Sequence, residues 1–186
     1  MPLVVLAGCA AAPEYSPAPP PEPARPAPKG AYYKDDGPGD NPPPNLNQVS
    51  DAVPRLEPLH RYANRPYNRF GKDYVPIAAV GPFRQVGVAS WYGRRFHGQP
   101  TSSGEPYDMY KMTAAHPTLP IPSYARVTHQ ASGRSVVVRI NDRGPFLHDR
   151  VIDLSYVAAL KLGFAETGSA RVVVEAIVPG KVAQAD

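Results

Sequence analysis

The chain has 186 residues, 25 of them proline, and a formal net charge of +4. Of those prolines, 17 lie in residues 1–80 and 8 in residues 81–186, so the second half, which also carries the excess of basic over acidic residues, is expected to hold one compact domain. The single cysteine excludes an intramolecular disulfide, and the lack of a Lys/Arg-rich run interleaved with aromatic residues argues against nucleic acid as a partner.

The first segment ends at Cys9. Residues 3–9, LVVLAGC, resemble the end of a bacterial lipoprotein signal, in which a short apolar run and two small residues precede a lipidated cysteine. We expect residues 1–8 to be removed and Ala10 to favour sorting to the outer membrane, facing the periplasm. The true start is expected upstream, because neither Met1 nor Pro2 supplies the positive charge of a signal. A chance free thiol at Cys9 is the alternative.

Residues 9–80 are predicted to be a tether and linker. The Pro/Ala/Glu-rich run through Pro28 has almost no large apolar residues, so it cannot offset its ordering entropy and is expected to be extended and disordered. Residues 30–80 are predicted to be loop-like. A Tyr/Arg/Asn-rich patch at residues 60–74 shows no strong period, which leaves open whether it packs on the domain.

The domain is predicted at residues 81–180, followed by a tail at 181–186. Alternating or β-branched residues predict strands at 85–92, 124–129, 135–140 and 171–178, and a turn at 131–134 joins two of them as a hairpin. Asp153 is predicted to cap a helix over residues 154–162, which ends at Gly163. Short strands with one helix and many tight turns indicate a mainly β fold, a small closed barrel.

Several motifs resemble the rare lipoprotein A family in order and spacing. They are GVASWYG at 87–93, TSSGE at 101–105, MTAAHPTLP at 112–120, VRINDRGPF at 138–146 and IDLS at 152–155. The resemblance covers about residues 86–178 and implies a six-stranded double-psi β-barrel, a fold also found in expansins. It further implies a peptidoglycan lytic transglycosylase without a cofactor. We expect no C-terminal septal-glycan-binding repeat domain, because the sequence ends eight residues after Val178.

Three carboxylates are candidates for the chemistry. A lytic transglycosylase needs only one acid/base, because the substrate's own 6-hydroxyl attacks the anomeric carbon. Asp142 follows an apolar strand at the Gly144-Pro145 turn, and the resemblance implies the catalytic aspartate at this position. The alternative is a turn-forming aspartate. Glu105 and Asp108 share one tight loop, which either joins Asp142, so that repulsion raises one pKa, or is simply hydrated.

Other candidates surround these carboxylates. The resemblance places His116 in the same cleft, whereas a lone histidine is more often a structural hydrogen-bonding group. Trp91 and Tyr92 are candidates for stacking on a sugar, with Tyr92 preferred because Trp91 is expected in the core. Arg139 and Arg143 are expected to bind lactyl carboxylates of muramic acid, which are free only where stem peptides are absent. No His/carboxylate spacing indicates a metal.

Three functions remain open at this point. The first is a lytic transglycosylase that cleaves peptide-free glycan strands to 1,6-anhydromuramic ends, and the trio of Glu105, Asp108 and Asp142 favours it. The second is a non-catalytic, expansin-like wall binder, because the fold alone does not imply catalysis. The third is a scaffold lipoprotein. The expected partners are denuded glycan, the membrane through a lipid on Cys9, and cell-wall amidases or division proteins.

Overall fold

The computed structural model describes residues 37–39 and 41–180. The expected signal at residues 1–8, the lipidated Cys9, the Pro-rich run through Pro28 and the tail at 181–186 lie outside this part of the chain. No helix within these described ranges combines the length and apolar character needed to cross a membrane.

Six strands close into a barrel, which confirms the predicted mainly β class. The strands, in chain order, are β3 (Arg84–Tyr92), β4 (Thr113–Ala115), β5 (Ser123–His129), β6 (Ser135–Asp142), β7 (Arg150–Ser155) and β8 (Ser169–Ile177), and a separate hairpin of β1 (Tyr67–Arg69) and β2 (Lys72–Tyr74) precedes them. Around the barrel the order is β3-β7-β4-β6-β5-β8. The pairs β3–β7 and β4–β6 are parallel, and the other four pairs are antiparallel.

The four predicted strands correspond to β3, β5, β6 and β8, and each bound agrees within two residues. The predicted hairpin is the β5–β6 pair, in which Thr128 lies opposite Ser135 across the turn. Strands β4 and β7 were not predicted. β4 has only three residues, and the helical spacing of apolar residues that begins at Leu154 masked the end of β7.

The prediction that Asp153 caps the helix was wrong. Asp153 lies within β7, where it is paired with β3 on one side and β4 on the other. The helix α1 (Tyr156–Leu162) begins two residues later than predicted and is capped by Ser155, whose Oγ accepts a hydrogen bond from the backbone N–H of Ala158 at 3.3 Å. The predicted end is correct, because Gly163 adopts the left-handed conformation with φ 84°.

The centre of the domain is filled by apolar side chains. Burying each valine, leucine or isoleucine contributes about 1.5–3 kcal/mol, and helix α1 adds further buried residues to the same cluster. The tightly packed strand residues, each at most 2% exposed, are Val127, Val136, Val138, Ile140, Ile152, Leu154, Val172 and Val174. A core filled in this way leaves strand ends and loops as the places for polar chemistry.

Residues 41–80 pack against the barrel rather than forming a loose linker. The backbone N–H of Ala52 donates to the Val137 carbonyl at 3.0 Å, and the N–H of Val137 donates to the Asp51 carboxylate at 2.9 Å. The same carboxylate accepts a hydrogen bond from Lys161 of α1. Further along, the N–H of Ile77 donates to the Thr118 carbonyl at 2.8 Å. This part of the chain therefore contributes to the surface around the strand ends.

Candidate functional site

Asp142 is the last residue of β6 and lies beside Ala115 of β4, where the register of the two strands shifts. Its Oδ1 accepts three hydrogen bonds, from the N–H of Ser102 at 2.8 Å, the Ser102 hydroxyl at 2.7 Å and the N–H of Arg143 at 2.8 Å. Among the described residues, Oδ2 has no hydrogen-bond partner, and it is not one of the buried unpartnered atoms. One oxygen is therefore fixed while the other is open to solvent.

The 101–105 turn holds this arrangement. The N–H of Thr101 and its hydroxyl both donate to the Glu105 carbonyl, at 2.8 and 2.9 Å, and Gly104 closes the turn with φ 81°. The N–H of Ser103 reaches the Asn141 carbonyl at 3.2 Å, which fastens the turn to β6. The TSSGE motif thus places Ser102 on Asp142 and brings Glu105 to the side chains of β6.

Glu105 is anchored by two side chains of β6. Arg139 donates from Nη1 to both carboxylate oxygens at 3.0 and 2.8 Å, and Asn141 donates to Oε2 at 3.0 Å. Burial alone would raise the pKa of Glu105, but these hydrogen bonds outweigh it and lower the pKa below its ordinary value. The like charge acting on Glu105 is Glu57, so the expected repulsion from Asp142 is not what shifts it.

Arg139 is shared between two carboxylates. Its Nε and Nη2 donate to Glu57 at 2.9 Å each, while its Nη1 donates to Glu105. The Arg139 hydrogen bonds are the main reason that the pKa of Glu57 falls to about 2, and Tyr124 also donates to Glu57. Arg139 is therefore neutralised locally, which leaves little of its charge for the lactyl carboxylate that the sequence analysis assigned to it.

Asp108 lies in the same groove as Glu105 and Arg139, a cavity of about 620 Å³. Its Oδ1 accepts the N–H of Tyr110 at 2.9 Å, and its Oδ2 lies 3.7 Å from the Lys111 ammonium. These are the contacts of an aspartate that forms a turn. The structure thus brings Asp108 and Glu105 to one groove, but it places Asp108 in a local turn rather than on Asp142.

His116 lies behind Asp142 rather than in the groove of Glu105. The ring is 1% exposed, its Nδ1 accepts the N–H groups of Thr118 and Leu119 at 3.1 and 2.9 Å, and its Nε2 lies 3.1 Å from Gln85 Oε1. Since Nδ1 accepts, Nε2 carries the proton and donates to Gln85. Burial lowers the pKa of His116 to about 3, so the ring is neutral at physiological pH. Its backbone N–H donates to the Asp142 carbonyl at 3.1 Å.

Arg143 acts as a clamp between segments. Its guanidinium donates to the carbonyls of Ala63, His116 and Leu119 at 3.0, 3.0 and 2.6 Å, and to Asn64 Oδ1 at 2.9 Å. Burial lowers the pKa of Arg143 to about 10, so it stays charged at neutral pH. All three of its nitrogens have donor contacts within the protein, which makes it a structural residue next to Asp142.

The two aromatic candidates are both engaged in packing. Trp91 donates from Nε1 to the Ala165 carbonyl at 3.0 Å and lies edge-on to Tyr156 at 5.2 Å, as expected for a core residue. Tyr92 stacks on Tyr107 with ring centroids 4.0 Å apart, and its hydroxyl is buried. Burial raises the pKa of Tyr92 well above its ordinary value. Trp91 and Tyr92 thus each have an aromatic packing partner, and both residues remain partly exposed, so sugar stacking stays a prediction.

Asp153 is a carboxylate of this region that sequence reasoning dismissed. Ala115 of β4 is in register with Asp142 on one side and with Asp153 on the other, so the two aspartates flank one alanine. Asp153 accepts a hydrogen bond from Ser90 at 2.7 Å and lies 3.0 Å from Arg150. Burial raises the pKa of Asp153, with Arg150 and Ser90 opposing and Asp142 adding to the shift. Asp153 belongs to the IDLS motif, so that motif is the sequence feature that could have indicated this carboxylate.

Two further residues escaped prediction for a different reason. Glu57 lies in the stretch predicted as linker, and nothing in its local sequence indicates that it faces Arg139. Ser102 lies in the TSSGE motif, where two serines in a row before Gly104 indicate a tight turn with free hydroxyls. Within the residues that the structure describes, no three His, Cys, Asp or Glu side chains converge in a way that could hold a metal ion.

Residues 84–174 match a family model described as lytic transglycolase. Proteins named endolytic peptidoglycan transglycosylase RlpA are similar to this chain: that of Pseudomonas aeruginosa strain UCBPP-PA14 is 58% identical over 135 residues, 73% of this chain and 39% of that protein. The corresponding protein of Neisseria meningitidis serogroup A is 59% identical over 134 residues, 72% of this chain and 56% of its own length.

The match to the protein of the same name from Vibrio cholerae extends into the N-terminal part. It is 45% identical over 179 residues, which cover 96% of this chain and 62% of that protein. The chain thus spans between 39% and 62% of the length of these three relatives.

The domain is a closed six-stranded barrel with a carboxylate at the end of a strand that pairs in parallel. Its match to the family model over residues 84–174 identifies it as a double-psi β-barrel domain of the lytic transglycolase class. Within that class, the matched relatives confirm the resemblance carried by the sequence motifs. The barrel of this chain, matched over residues 84–174, is similar to these rare lipoprotein A proteins.

Proposed function

We propose that this protein is a lytic transglycosylase that cleaves the glycan strands of peptidoglycan, preferring strands without stem peptides, to give 1,6-anhydromuramic ends. The observation that carries the proposal is the Asp142 carboxylate, with one oxygen held by three donors and the other open. A group fixed in this way can pass a proton in a defined direction, which is what a general acid requires. The names of the similar proteins support the same reaction class.

The proposed reaction uses Asp142 twice. In its protonated form, Oδ2 gives its proton to the glycosidic oxygen as the bond from that oxygen to the anomeric carbon of muramic acid breaks. The resulting carboxylate then takes the proton of the 6-hydroxyl while that oxygen attacks the same carbon. The anhydro ring closes, no water is added, and Asp142 returns to its starting form.

Glu105 is proposed to act through its negative charge. Hydrogen bonds from Arg139 and Asn141 lower its pKa, so it is ionised when substrate binds, which does not suit a general acid. An ionised carboxylate beside the cleft stabilises the positive charge that develops on the sugar ring in an oxocarbenium-like transition state. Asp108 and His116 are proposed to act indirectly, by shaping the loop of Glu105 and by supporting the backbone of Asp142.

The cellular setting is proposed from chemistry and from the N-terminal motif. Peptide-free strands arise when an amidase removes stem peptides, so a cell-wall amidase is the class of enzyme that supplies this substrate. A lipid on Cys9 would hold the protein at the outer membrane, facing the periplasm. Cys9→Ser should then release it from membranes, and unchanged membrane retention of that variant would refute the anchor.

Asp142→Asn tests the proposal directly. Asparagine keeps an oxygen that accepts the hydrogen bonds from Ser102 and Arg143, so the domain should stay folded, while loss of the transferable proton should cut product formation ~10²–10⁴-fold. Glu166→Gln is the matched control, because it removes one negative charge at an exposed position after α1. Amidase-treated sacculi are the substrate, and released fragments are measured by mass. A folded Asp142→Asn variant that releases fragments at the wild-type rate would overturn the assignment.

A further inference from the structure

The N-terminal hairpin builds one side of a groove next to Asp142. This groove, which we term the hairpin groove, measures about 460 Å³ and is lined on one side by residues 62, 63 and 65–69 and on the other by Ser102, Arg143 and Phe146. Its volume falls within the ~300–1,000 Å³ range of ligand sites. Ser102, which lines the groove, donates to the Asp142 carboxylate, so the groove lies one residue away from the proposed acid. Residues 62–69 lie outside the matched family region.

The hairpin wall is fastened to the barrel. Asn64 donates to the Ile121 carbonyl at 2.6 Å and accepts the N–H of Ile121 at 2.8 Å. The Tyr67 hydroxyl donates to the Pro117 carbonyl at 2.9 Å. The Tyr67 ring also stacks on Tyr74 at 5.1 Å and meets Phe146 edge-on at 6.0 Å. A wall held by these contacts is preorganised, which reduces the entropy lost on binding a ligand.

Two exposed arginines line this wall without an acidic partner. Arg65 lies over the ring of Tyr62 at 4.8 Å, and Arg69 lies over Phe70 at 4.8 Å and over Phe146 at 5.9 Å. Such stacking fixes the guanidinium plane and leaves its N–H edge available. Among the described residues, neither arginine has an ion pair. They differ in this respect from Arg139, whose charge is neutralised by two carboxylates.

We propose that Arg65 and Arg69 form a carboxylate subsite in the hairpin groove that binds lactyl carboxylates of muramic acid, so that the hairpin selects peptide-free glycan. The inference rests on the proposed function, because it assumes that glycan lies along this groove. In intact peptidoglycan each lactyl group is joined to a stem peptide as an amide and carries no charge. A guanidinium pair therefore distinguishes the two kinds of strand by charge and by bidentate geometry.

Binding is best measured in the full chain carrying Asp142→Asn, so that no ligand is consumed. The probes are peptide-free glycan oligomers with free lactyl carboxylates and the same oligomers with those groups converted to neutral methyl amides. We expect the carboxylate form to bind about tenfold more tightly at low salt, with the preference shrinking as ionic strength rises. Equal affinity for both probes would overturn the proposal.

The substitutions Arg65→Gln and Arg69→Gln, made together, should abolish that preference. The control is the pair Arg126→Gln and Arg171→Gln, which removes the same charge at exposed positions of β5 and β8 outside the groove and should keep the preference. If the variant with Arg65→Gln and Arg69→Gln unfolds, the variant with Arg65→Lys and Arg69→Lys is measured instead. Lysine keeps the charge but not the bidentate geometry, so part of the preference should remain. The subsite proposal is overturned if the folded Arg65→Gln and Arg69→Gln variant, or the Arg65→Lys and Arg69→Lys variant, keeps the full wild-type preference.

Cleavage by the wild-type chain, measured separately, distinguishes the two proposals. If the wild type releases fragments while the variant with Arg65→Gln and Arg69→Gln keeps the carboxylate preference, the subsite fails and the proposed function stands. If the preference depends on Arg65 and Arg69 while the wild type releases nothing, the subsite stands and the proposed reaction fails.

Discussion

At the scale of single residues, the groups around Asp142 hold this side chain and its backbone in place, while Asp142 itself is proposed to carry the chemistry. Ser102 and the backbone of Arg143 occupy Oδ1, while His116 supports the carbonyl of the same residue from behind. A histidine with both ring nitrogens engaged and a pKa of about 3 cannot exchange protons with substrate near neutral pH. We therefore propose a positioning role for His116, and its burial has a measurable consequence for stability.

Stability should fall on acidification because of His116. The unfolded chain binds a proton at this residue below its ordinary pKa of 6.5, whereas the folded protein resists protonation down to about pH 3. The free energy of unfolding therefore decreases as pH falls through this window, by up to ~1.4 kcal/mol per pH unit from this residue. His116→Asn should be less stable at pH 7, with the gap to wild type narrowing towards pH 4.

Denaturant unfolding at several pH values measures that gap. His148→Asn is the control, since His148 is an exposed loop residue at φ 63°, a conformation that asparagine tolerates. A gap between wild type and His116→Asn that stays constant from pH 7 to pH 4 would contradict the buried, neutral histidine.

The sequence predicts Asp142 as a candidate from its place at the Gly144-Pro145 turn and from the family resemblance, and it predicts Glu105 and Asp108 from their shared tight loop; these roles stay predictions. It assigned ligand-binding roles to Arg139 and Arg143, and the structure instead shows intramolecular partners for both. The partners of Arg139 are the carboxylates of Glu57 and Glu105, and those of Arg143 are three backbone carbonyls and the Asn64 side chain. Contacts between segments that are distant in sequence leave no local pattern, so single-sequence reasoning cannot find them.

At the scale of elements, close packing of β3 against β7 depends on one glycine. A Cβ built at Gly87 would lie 2.2 Å from Val151 Cγ1 and 3.2 Å from Val151 Cβ. Valine has little rotamer freedom, so the backbones of the two strands would have to separate. The GVASWYG motif marked this strand, but only the partner strand explains why its first residue is glycine.

Gly87→Ala should therefore destabilise the barrel by ~1–3 kcal/mol. The matched control is Gly81→Ala, where an added Cβ would meet nothing within 4 Å, and its stability should stay within about 0.5 kcal/mol of wild type. Chemical denaturation of both variants is the measurement. Equal stabilities for the two would show that β3 and β7 are not packed as closely as described.

At the scale of the whole molecule, the barrel and the segment before it form one folded unit. The predicted linker contributes Leu46 to the core, Asp51 to β6 and α1, and Glu57 to Arg139. Its composition gave little sign of this, because the segment is rich in proline and its strands are only three residues long. Strand periodicity predicted four of the six barrel strands and a small closed barrel, and the family resemblance carried by the motifs implied the six-stranded double-psi form.

Two deletions of equal length test this view. Removing residues 41–56 eliminates the Leu46 and Asp51 contacts and should lower the thermal midpoint by several degrees, since ~1 kcal/mol corresponds to ~2–4 °C in a domain of this size. Removing residues 13–28, a Pro/Ala-rich stretch expected to bury little apolar surface, should leave the midpoint almost unchanged. Equal effects of both deletions would argue against a structural role for residues 41–56.

The central claim, bond cleavage without water, is tested most directly by digesting amidase-treated sacculi with the full chain in water enriched in heavy oxygen. Intramolecular attack by the 6-hydroxyl predicts fragments that end in 1,6-anhydromuramic acid and carry no heavy oxygen, and Asp142→Asn should release almost none of them. Hydrated reducing ends labelled with heavy oxygen would show hydrolysis instead. Binding to the sacculi with no released fragment would identify a non-catalytic wall binder, and either result would contradict the account.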